Sequence, residues 1–292
     1  MAKLSVVIIT HNEEKNILRC LESVKPIADE IIVVDSMSSD NTVRMCRESS
    51  CRVFQREFDG YGTQKQFAVD RSSNDWVLSI DADEVVTEEL QEEINHLLGR
   101  KPPPDNPNKE QPPSDLTQPE QPPLDLPQPG EEPSRIPDPG SVSGLPAAFL
   151  IPFSLYYMGR FLRHGGVGNE SHLRLFDRTK GGFTTVPVHE GIQVNGTTGM
   201  LKGRIIHFSY RDISHHLEKI DTYTSRAAEG NRITGKSFSR INAVFKFPVV
   251  FFIYYIVKFG FLDGYPGFIW SFMAAVHSTL KIAKTIELSS KP

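Results

Sequence analysis

Three short, mostly apolar runs in the first hundred residues most constrain the fold. They cover Leu4 to Thr10, Glu30 to Val34 and Trp76 to Ile80. Helical patterns separate them, and runs this continuous are typical of strands that are buried on both faces. This alternation predicts an α/β fold, in which a mainly parallel sheet carries helices on both faces.

Polar residues follow each apolar run at the point where its strand should end. In parallel sheets these carboxyl ends meet at one edge, and ligands bind just outside it. We therefore expect one binding site to collect the side chains that follow the three runs. They are Thr10, Asn12 and Glu14, then Asp35, then Asp81, Asp83 and Glu84.

The segment Asp81-Ala82-Asp83 suggests a metal site. Mg²⁺ and Mn²⁺ prefer hard oxygen ligands, and are usually held by one or two carboxylates together with substrate phosphates. A polar turn at a strand end accounts for the same acids, so the segment alone leaves both interpretations open. No glycine-rich dinucleotide motif and no P-loop follows the first run, which argues against an oxidoreductase and a P-loop nucleotidase.

Residues 101–146 differ from the rest of the chain. They hold 15 of its 21 prolines, and the stretch beginning at Gln111 recurs ten residues later at Gln121. So few apolar side chains cannot offset the entropy of ordering, and the composition predicts a disordered insert within one catalytic domain. A proline-rich ligand for a partner domain is the alternative.

Charge is distributed unevenly along the chain. Residues 1–100 carry 11 Lys and Arg against 19 Asp and Glu, whereas residues 147–292 carry 18 against 9. A basic second half suits an anionic partner such as a membrane surface, although solvated surface charge explains it too. Three cysteines without metal-ligand spacing, and an N-terminal apolar run too short for a signal peptide, favour the cytoplasm.

Residues 147–210 show further strand patterns and should complete the catalytic domain. Residues 211–292 are predicted to be helical. A helix over 212–234 should turn one apolar side inward. The residues of that side are Ile213, Leu217, Ile220, Tyr223 and Ala227.

Two uncharged apolar stretches follow that helix. Phe247 to Val257 is shorter than the roughly 18–20 residues of a spanning helix, and Gly264 to Leu280 is interrupted by Pro266 and Gly267. They are either buried helices of a soluble core or helices that lie in the membrane interface. The basic charge of this half favours the interface.

The motifs together resemble a known family. Residues 6–14 (Val-Val-Ile-Ile-Thr-His-Asn-Glu-Glu), residues 31–42 (Ile-Ile-Val-Val-Asp-Ser-x-Ser-x-Asp-x-Thr) and residues 81–84 (Asp-Ala-Asp-Glu) resemble the inverting family 2 glycosyltransferases of the GT-A fold. Arg174-Leu175-Phe176, Val188-His189-Glu190 and residues 260–264 are similar to bacterial lipopolysaccharide inner-core β-1,4-glucosyltransferases that modify a heptose. The insert at 101–146 departs from that pattern.

The resemblance implies roles in binding a UDP-sugar donor. Asp35 would accept a hydrogen bond from the uracil N–H, and Asp83 would bind Mg²⁺ or Mn²⁺ on the diphosphate. Asp81 would hold the ribose or sugar, or assist the metal through water, and Lys65 is a weaker nucleotide ligand. The base and ribose would be lined by Thr10, Asn12 and Glu14.

The resemblance also implies an acceptor side. Glu190 would be the general base, with His189 orienting it or the acceptor. Arg163, His164 and Arg174 would meet acceptor phosphates, although Arg174 could equally form a salt bridge in the sheet.

The expected partners follow from these roles. They are the UDP-sugar, an anionic lipid-linked saccharide and the inner face of the bacterial inner membrane, with no nucleic acid. Transfer to a polyprenyl phosphate is an alternative activity. A non-catalytic membrane scaffold that recruits partners through the proline segment is a further alternative.

Overall fold

A computed structural model describes residues 1–100, 144–168, 170–184 and 191–290. The chain divides into two compact units. Unit 1 comprises Met1–Phe153 and Ser171–His207, and unit 2 comprises Ser154–Glu170 and Phe208–Pro292. The insert predicted at 101–146 lies outside the described residues except for its last three.

Unit 1 contains most of the strands and four helices. Its strands are β1 (Leu4–Thr10), β2 (Glu30–Asp35), β3 (Arg52–Gln55), β4 (Trp76–Asp81), β5 (Glu84–Val86), the first part of β6 (Ala148–Tyr157), β8 (Ser171–Asp177), β9 (Gly181–Phe183), β10 (Ile192–Val194), β11 (Thr198–Met200) and β12 (Ile205–His207). Its helices are α1 (Ile17–Val24), α2 (Thr42–Glu48), α3 (Tyr61–Asp70) and α4 (Glu88–Leu97). The three apolar runs of the sequence therefore form β1, β2 and β4, as predicted.

The main sheet of unit 1 has the strand order β3-β2-β1-β4-β8-β6-β12-β5, and β11 also pairs with β6. Strands β1 to β4 pair in parallel, while β8 runs antiparallel to β4 and β6, and β12 antiparallel to β5. The α/β class is confirmed, with the parallel pairing concentrated in the first four strands. Among the later strands, β11 pairs in parallel with β6.

Helices cover both faces of the sheet. Ile8 of β1 belongs to one apolar cluster with Leu21 of α1, whereas the next residue toward the N-terminus, Val7, belongs to a second cluster with Ala68 of α3. Successive side chains of a strand point to opposite faces, so an uninterrupted apolar run is what a strand covered on both sides requires.

Unit 2 combines a β-hairpin with three long helices. Residues 155–157 of β6 pair with β7 (Arg160–Leu162), and the helices are α5 (Ile213–Ile233), α6 (Arg240–Phe252) and α7 (Gly264–Ser289). The hairpin segment had been predicted to belong to the catalytic domain. It groups with the helices because Tyr156 packs against Phe208, with ring centroids 5.1 Å apart, and because Asp263 binds the loop after β7.

Helix α5 has the predicted limits, but it buries a different side. Leu217 and Tyr223, expected inside, are each 47% exposed. Polar side chains take their place because they are satisfied locally: the His216 ring bonds the Tyr157 hydroxyl, and the Thr224 hydroxyl donates to the carbonyl of Ile220. The buried residues of the helix are His216, Ile220, Thr224 and Ala228.

The two apolar stretches form longer helices than predicted. Pro266 does not interrupt α7, because it lies in the first turn, where no helical N–H bond is lost. Helix α6 continues through a π-helical turn, Ile253–Val257. In the described part of the chain, Arg240–Val257 is the single helical stretch long and apolar enough to cross a membrane. Phe247 to Val257 alone is below that length, and the helix that contains it reaches the length by including residues 240–246.

Candidate functional site

The carboxyl ends of the parallel strands form the candidate site. The strand register pairs Thr10 of β1 with Asp35 of β2, and Ile9 of β1 with Asp81 of β4. The polar residues that end the three apolar runs are therefore neighbours on one edge of the sheet. This is the edge at which open α/β sheets bind ligands.

Two of the predicted nucleotide ligands connect the loops at this edge. The Asn12 side-chain oxygen accepts a hydrogen bond from the Ser39 N–H at 2.8 Å. Glu14 Oε2 accepts bonds from the backbone and side-chain N–H groups of Asn41, at 3.1 and 3.0 Å. These contacts hold the loop after β1 against the loop after β2, so both side chains help to shape the edge.

Thr10 and Asp35 lie deeper. Asp35 is fully buried and accepts hydrogen bonds from the backbone N–H of Ser38, at 2.8 Å, and from its hydroxyl. The Thr10 hydroxyl is buried and has no hydrogen-bond partner in the described part of the chain. A buried hydroxyl without a partner carries a free-energy cost, and a ligand bound at this edge would remove it.

Asp81 lies between two cations. Lys65 Nζ of α3 is 2.8 Å from its Oδ1, and Arg174 of β8 is 3.3 Å from its Oδ2. Burial alone would raise the pKa of Asp81, but the charges of Lys65 and Arg174 outweigh burial and hold it well below its usual range. Lys65 therefore lies at the site, and the Asp81 carboxylate is engaged in ion pairs with Lys65 and Arg174.

Arg174 is shared with a second carboxylate. Its guanidinium lies 2.7 Å from Glu84 Oε1, and Glu84, whose side chain is completely buried, also accepts the backbone N–H of Asp81 at 2.8 Å. Burial raises the pKa of Glu84, the neighbouring Asp81 raises it further, and Arg174 opposes both. Of the two roles that the sequence left open for Arg174, this geometry supports the salt bridge.

Asp83 has a partner that the sequence analysis missed. His207 Nε2 lies 3.3 Å from Asp83 Oδ2, since β12 pairs antiparallel with β5 and sets His207 opposite Glu84. Burial would lower the pKa of His207, but the hydrogen bond to Asp83 and the nearby acidic charges raise it above its usual value. The strand pattern over 204–208 was visible in the sequence, but nothing in it connected His207 with Asp83.

Asp83 and His207 are also the donors best suited to a divalent cation. The Asp83 carboxylate is the hard oxygen donor that Mn²⁺ and Mg²⁺ prefer, whereas an imidazole nitrogen is a ligand for transition metals, so the pair suits Mn²⁺ better than Mg²⁺; either ion usually completes its shell with water and substrate phosphates. In the described ranges, no group of three or more His, Cys, Asp or Glu side chains is arranged as a complete metal site. The donor pair fits a cation that the diphosphate would share.

The predicted acceptor residues Arg163 and His164 lie in unit 2. Asp263 Oδ2 accepts their backbone N–H groups at 3.0 and 2.8 Å, and His164 Nδ1 is 3.1 Å from Asp263 Oδ1. Asp263 is almost completely buried, so it fixes this loop. The other acceptor-side residues, His189 and Glu190, lie outside the described residues.

Comparisons with known proteins identify relatives of this chain. Residues 5–102 match the family model described as glycosyl transferase family 2. An uncharacterized glycosyltransferase of Rickettsia typhi is 30% identical over 300 residues, covering 100% of this chain and 89% of that protein. The lipopolysaccharide core biosynthesis glycosyltransferase LpsC of Rhizobium meliloti is 28% identical over 288 residues, covering 96% of this chain and 91% of LpsC.

Solved structures give a more limited likeness. Residues 1–349 of S. aureus TarS share 27% identity over 32% of each chain, with a TM-score of 0.30. A complex of Mycobacterium tuberculosis glucosyl-3-phosphoglycerate synthase with Mn²⁺, uridine diphosphate and phosphoglyceric acid shares 32% identity over 29% of this chain and 34% of that one, with a TM-score of 0.27. TM-scores this low do not support a comparison of sites. The full-length similarity to the Rickettsia protein, together with the family match over the strand edge, shows that the chain belongs to glycosyltransferase family 2.

Proposed function

We propose that this protein transfers a sugar from a UDP-sugar to a lipid-linked saccharide, in an inverting, metal-assisted reaction. The observation that carries the proposal is the meeting of Asp35 and Asp81 at one edge of the parallel strands, with Asp83 two residues beyond Asp81 and 3.3 Å from His207. The buried Asp35 carboxylate would accept the uracil N–H, beside the Thr10 hydroxyl, for which the described residues supply no hydrogen-bond partner. Lys65 and Arg174 hold Asp81 charged, in the position proposed for the donor ribose or sugar.

A divalent cation on the diphosphate would be held by Asp83 and His207. It would supply positive charge to the departing UDP. His207 is partly exposed and Asp83 faces it, so both side chains are accessible to a phosphate-bound ion. Asp81 is the less suitable ligand, because both its oxygens already contact cations.

Glu190 is proposed as the general base on the strength of the sequence motif alone. Inverting transfer is a single displacement: the acceptor oxygen bonds to the anomeric carbon, the bond to UDP breaks, and the hydroxyl proton passes to the carboxylate. A positioned base contributes about 10²–10⁴ in rate. A polyprenyl phosphate acceptor already carries an oxyanion and would need no such base.

The acceptor is proposed to be the core region of lipopolysaccharide, with glucose as the sugar and a heptose as its target. The name of LpsC, which this chain matches along nearly its whole length, supports the lipopolysaccharide core as substrate class. The acceptor is anionic, which agrees with the excess of Lys and Arg over residues 147–292. The sugar and the heptose rest on the sequence resemblance.

We also infer that unit 2 lies on the inner face of the inner membrane through an α6 stripe, defined as the exposed apolar residues of Arg240–Val257. Residues 230–262 contain five Lys and Arg and no Asp or Glu. An apolar stripe within an acid-free, basic stretch is complementary to an anionic lipid surface. The stripe comprises Ile241, Val244, Phe245, Val249, Phe252, Ile253, Ile256 and Val257.

Transfer assays test the reaction. Purified protein would be incubated with individual UDP-sugars, with and without lipopolysaccharide acceptor, and released UDP measured with and without Mn²⁺. We expect UDP release that depends on one sugar, the acceptor and the metal. Asp83→Ala should abolish it, whereas Glu22→Ala, a change at an exposed carboxylate on α1, should not. Absence of UDP release with every donor would refute the proposal.

A single variant separates the two acceptor classes. Glu190→Gln should reduce transfer to the saccharide by at least about a hundredfold, because the acceptor hydroxyl loses its base. UDP binding, measured by calorimetry, should remain unchanged. Transfer at the wild-type rate by Glu190→Gln, with a polyprenyl phosphate as the better acceptor, would favour the alternative activity.

A further inference from the structure

Unit 2 contains a pocket that the proposed donor site does not use. It has a volume of about 240 Å³ and lies between α5 and α7, next to Tyr254 of the π-helical turn that follows α6. That volume is slightly below the roughly 300–1,000 Å³ of drug-sized sites, and suits a ligand the size of one sugar ring.

Aromatic rings form much of the pocket wall. The His216 imidazole lies 3.9 Å from the Tyr210 ring and 5.8 Å from the Trp270 ring, measured between centroids. Trp270 is fixed in turn, since its indole N–H donates to the carbonyl of Gly165 at 3.2 Å. Aromatic rings that border a pocket and are already fixed attract the weakly positive C–H groups of a sugar ring through any electron-rich face that a neighbouring ring leaves uncovered.

His216 supplies a fixed polar atom to the pocket. His216 is almost completely buried, with 4% of its surface exposed. Its Nδ1 lies 2.9 Å from the Tyr157 hydroxyl. No partner for Nε2 is found in the described part of the chain, so Nε2 is the atom left for a ligand. Burial, with the charge of Lys219, lowers the pKa of His216 to about 4. The neutral ring can exchange one hydrogen bond with a hydroxyl group.

The charge around the pocket is positive. Lys219 lines it, and no acidic residue does among those described. His277 also lines the pocket, but burial and the charge of Lys281 lower its pKa, so the positive charge comes from Lys219 and Lys281. Lys219 Nζ lies 5.5 Å from the Tyr210 ring, and Lys258 Nζ lies 4.5 Å from the Tyr254 ring. Cations over aromatic rings at the edge of a small pocket favour a ligand with a negative substituent.

We propose that this pocket binds one sugar ring that bears a phosphate or carboxylate group, as part of the saccharide acceptor. The assignment rests on the proposed function, because it names the acceptor subsite of that reaction. Tyr254 belongs to the same helical stretch as the α6 stripe, so one stretch of chain contributes both to the pocket and to the apolar surface. A molecule with a charged sugar head and a lipid tail has both chemistries.

Binding measurements on the full chain test the assignment. Glucose 6-phosphate, glucose and inorganic phosphate would be titrated by calorimetry and by fluorescence, with Trp270 as the reporter in the pocket. We expect glucose 6-phosphate to bind at least about tenfold more tightly than either of the others, because only it engages both the rings and the cations. Equal binding of inorganic phosphate would show a simple anion site and overturn the proposal.

Matched variants locate the binding. Lys219→Gln and Tyr223→Ala should each weaken binding of glucose 6-phosphate about tenfold, whereas Lys236→Gln and Tyr265→Ala, at exposed positions outside the pocket, should leave it unchanged. Ala274→Phe, which fills the pocket, should abolish it. Wild-type binding by Ala274→Phe would overturn the proposal.

UDP binding distinguishes a failure of the pocket assignment from a failure of the proposed function. Each pocket variant should bind UDP with Mn²⁺ as the wild type does, which also shows that unit 1 remains folded, and circular dichroism checks the helices of unit 2. Normal UDP binding without binding of glucose 6-phosphate to the wild type would refute the pocket assignment alone. Failure of UDP binding in the wild type would refute the proposed function.

Discussion

His207 Nε2 lies 3.3 Å from Asp83 Oδ2, although the two residues are far apart in the chain. Two three-residue strands, β5 and β12, produce this approach, because their antiparallel register sets His207 opposite Glu84. In the absence of a metal ion, the protonated His207 ring is stabilised by the negative charge of Asp83. This interaction raises the pKa of His207. A divalent cation offers the same two atoms a stronger partner, so metal binding should displace that proton.

Replacing His207 should weaken the metal dependence more than the fold. We expect His207→Gln to raise the Mn²⁺ concentration needed for half-maximal UDP binding by at least about tenfold, since even partners behind the ligands affect affinity by about 10–100-fold. Calorimetry with UDP over a range of Mn²⁺ concentrations measures the change. His96→Gln, at an exposed position on α4, is the control. An unchanged Mn²⁺ requirement would remove His207 from the site.

The Arg174 cluster should be important for stability. Arg174→Met leaves Glu84, fully buried, and Asp81 without their shared cation, and breaking a buried pair in this way costs about 3–5 kcal/mol. Urea unfolding would measure the loss. Arg232→Met removes an exposed ion pair with Glu229 and should cause no measurable change.

A second substitution tests whether charge is the cause. Glu84→Gln in the Arg174→Met background removes the uncompensated carboxylate and should recover part of the lost stability. If the double variant is as unstable as the sum of the two single variants, the residues are not coupled and the role assigned to Arg174 is wrong.

The meeting of strand ends at one edge was predictable because its determinants are local. Buried parallel strands produce continuous apolar runs, and the polar residues that end them converge without further information. The register places Asp35 and Asp81 at that edge as expected, and their roles toward a donor stay predictions. His207 was not, since its role depends on the pairing of two very short strands that the chain brings together over a long distance. Strand pairing of that kind leaves no periodic signal.

The inward side of α5 was mispredicted for a related reason. Apolar spacing favoured Leu217 and Tyr223, yet the helix buries His216 and Thr224, whose polar atoms are satisfied within unit 2. A polar residue becomes suitable for burial once a partner such as Tyr157 is in place, and the partner is supplied by a distant segment. Hydrophobic periodicity within the helix contains no information about such a distant partner.

Acid should destabilise unit 2 through His216. The ring is neutral in the folded protein with a pKa of about 4, against about 6.5 when unfolded, so below pH 6.5 the unfolded chain binds the proton more strongly. Stability should therefore fall as the pH decreases, by about 2 kcal/mol between pH 7 and pH 5. The groups facing the ring (Tyr157, Tyr210, Trp270, Lys219, His215 and His277) include no carboxylate that would offset this.

Comparison with a variant isolates that contribution. Urea unfolding at pH 7, 6 and 5, followed by circular dichroism, should show a smaller pH dependence for His216→Gln than for the wild type, with the two curves converging at low pH. His96→Gln should behave as the wild type. The same pH dependence in His216→Gln and wild type would assign the acid sensitivity to other groups.

The α6 stripe should bind anionic vesicles. Phe252→Asp and Phe245→Asp place a charge on side chains that are 56% and 62% exposed, so they should abolish co-flotation with vesicles of phosphatidylglycerol and phosphatidylethanolamine without unfolding the protein. Leu217→Asp, on an exposed position of α5, should float as the wild type does. Lys246→Glu should weaken binding by more than the roughly 1 kcal/mol of one basic residue, because it also adds a repelled charge. A helix lying in the interface is released by alkaline carbonate, so retention after that wash would show that Arg240–Val257 crosses the bilayer instead.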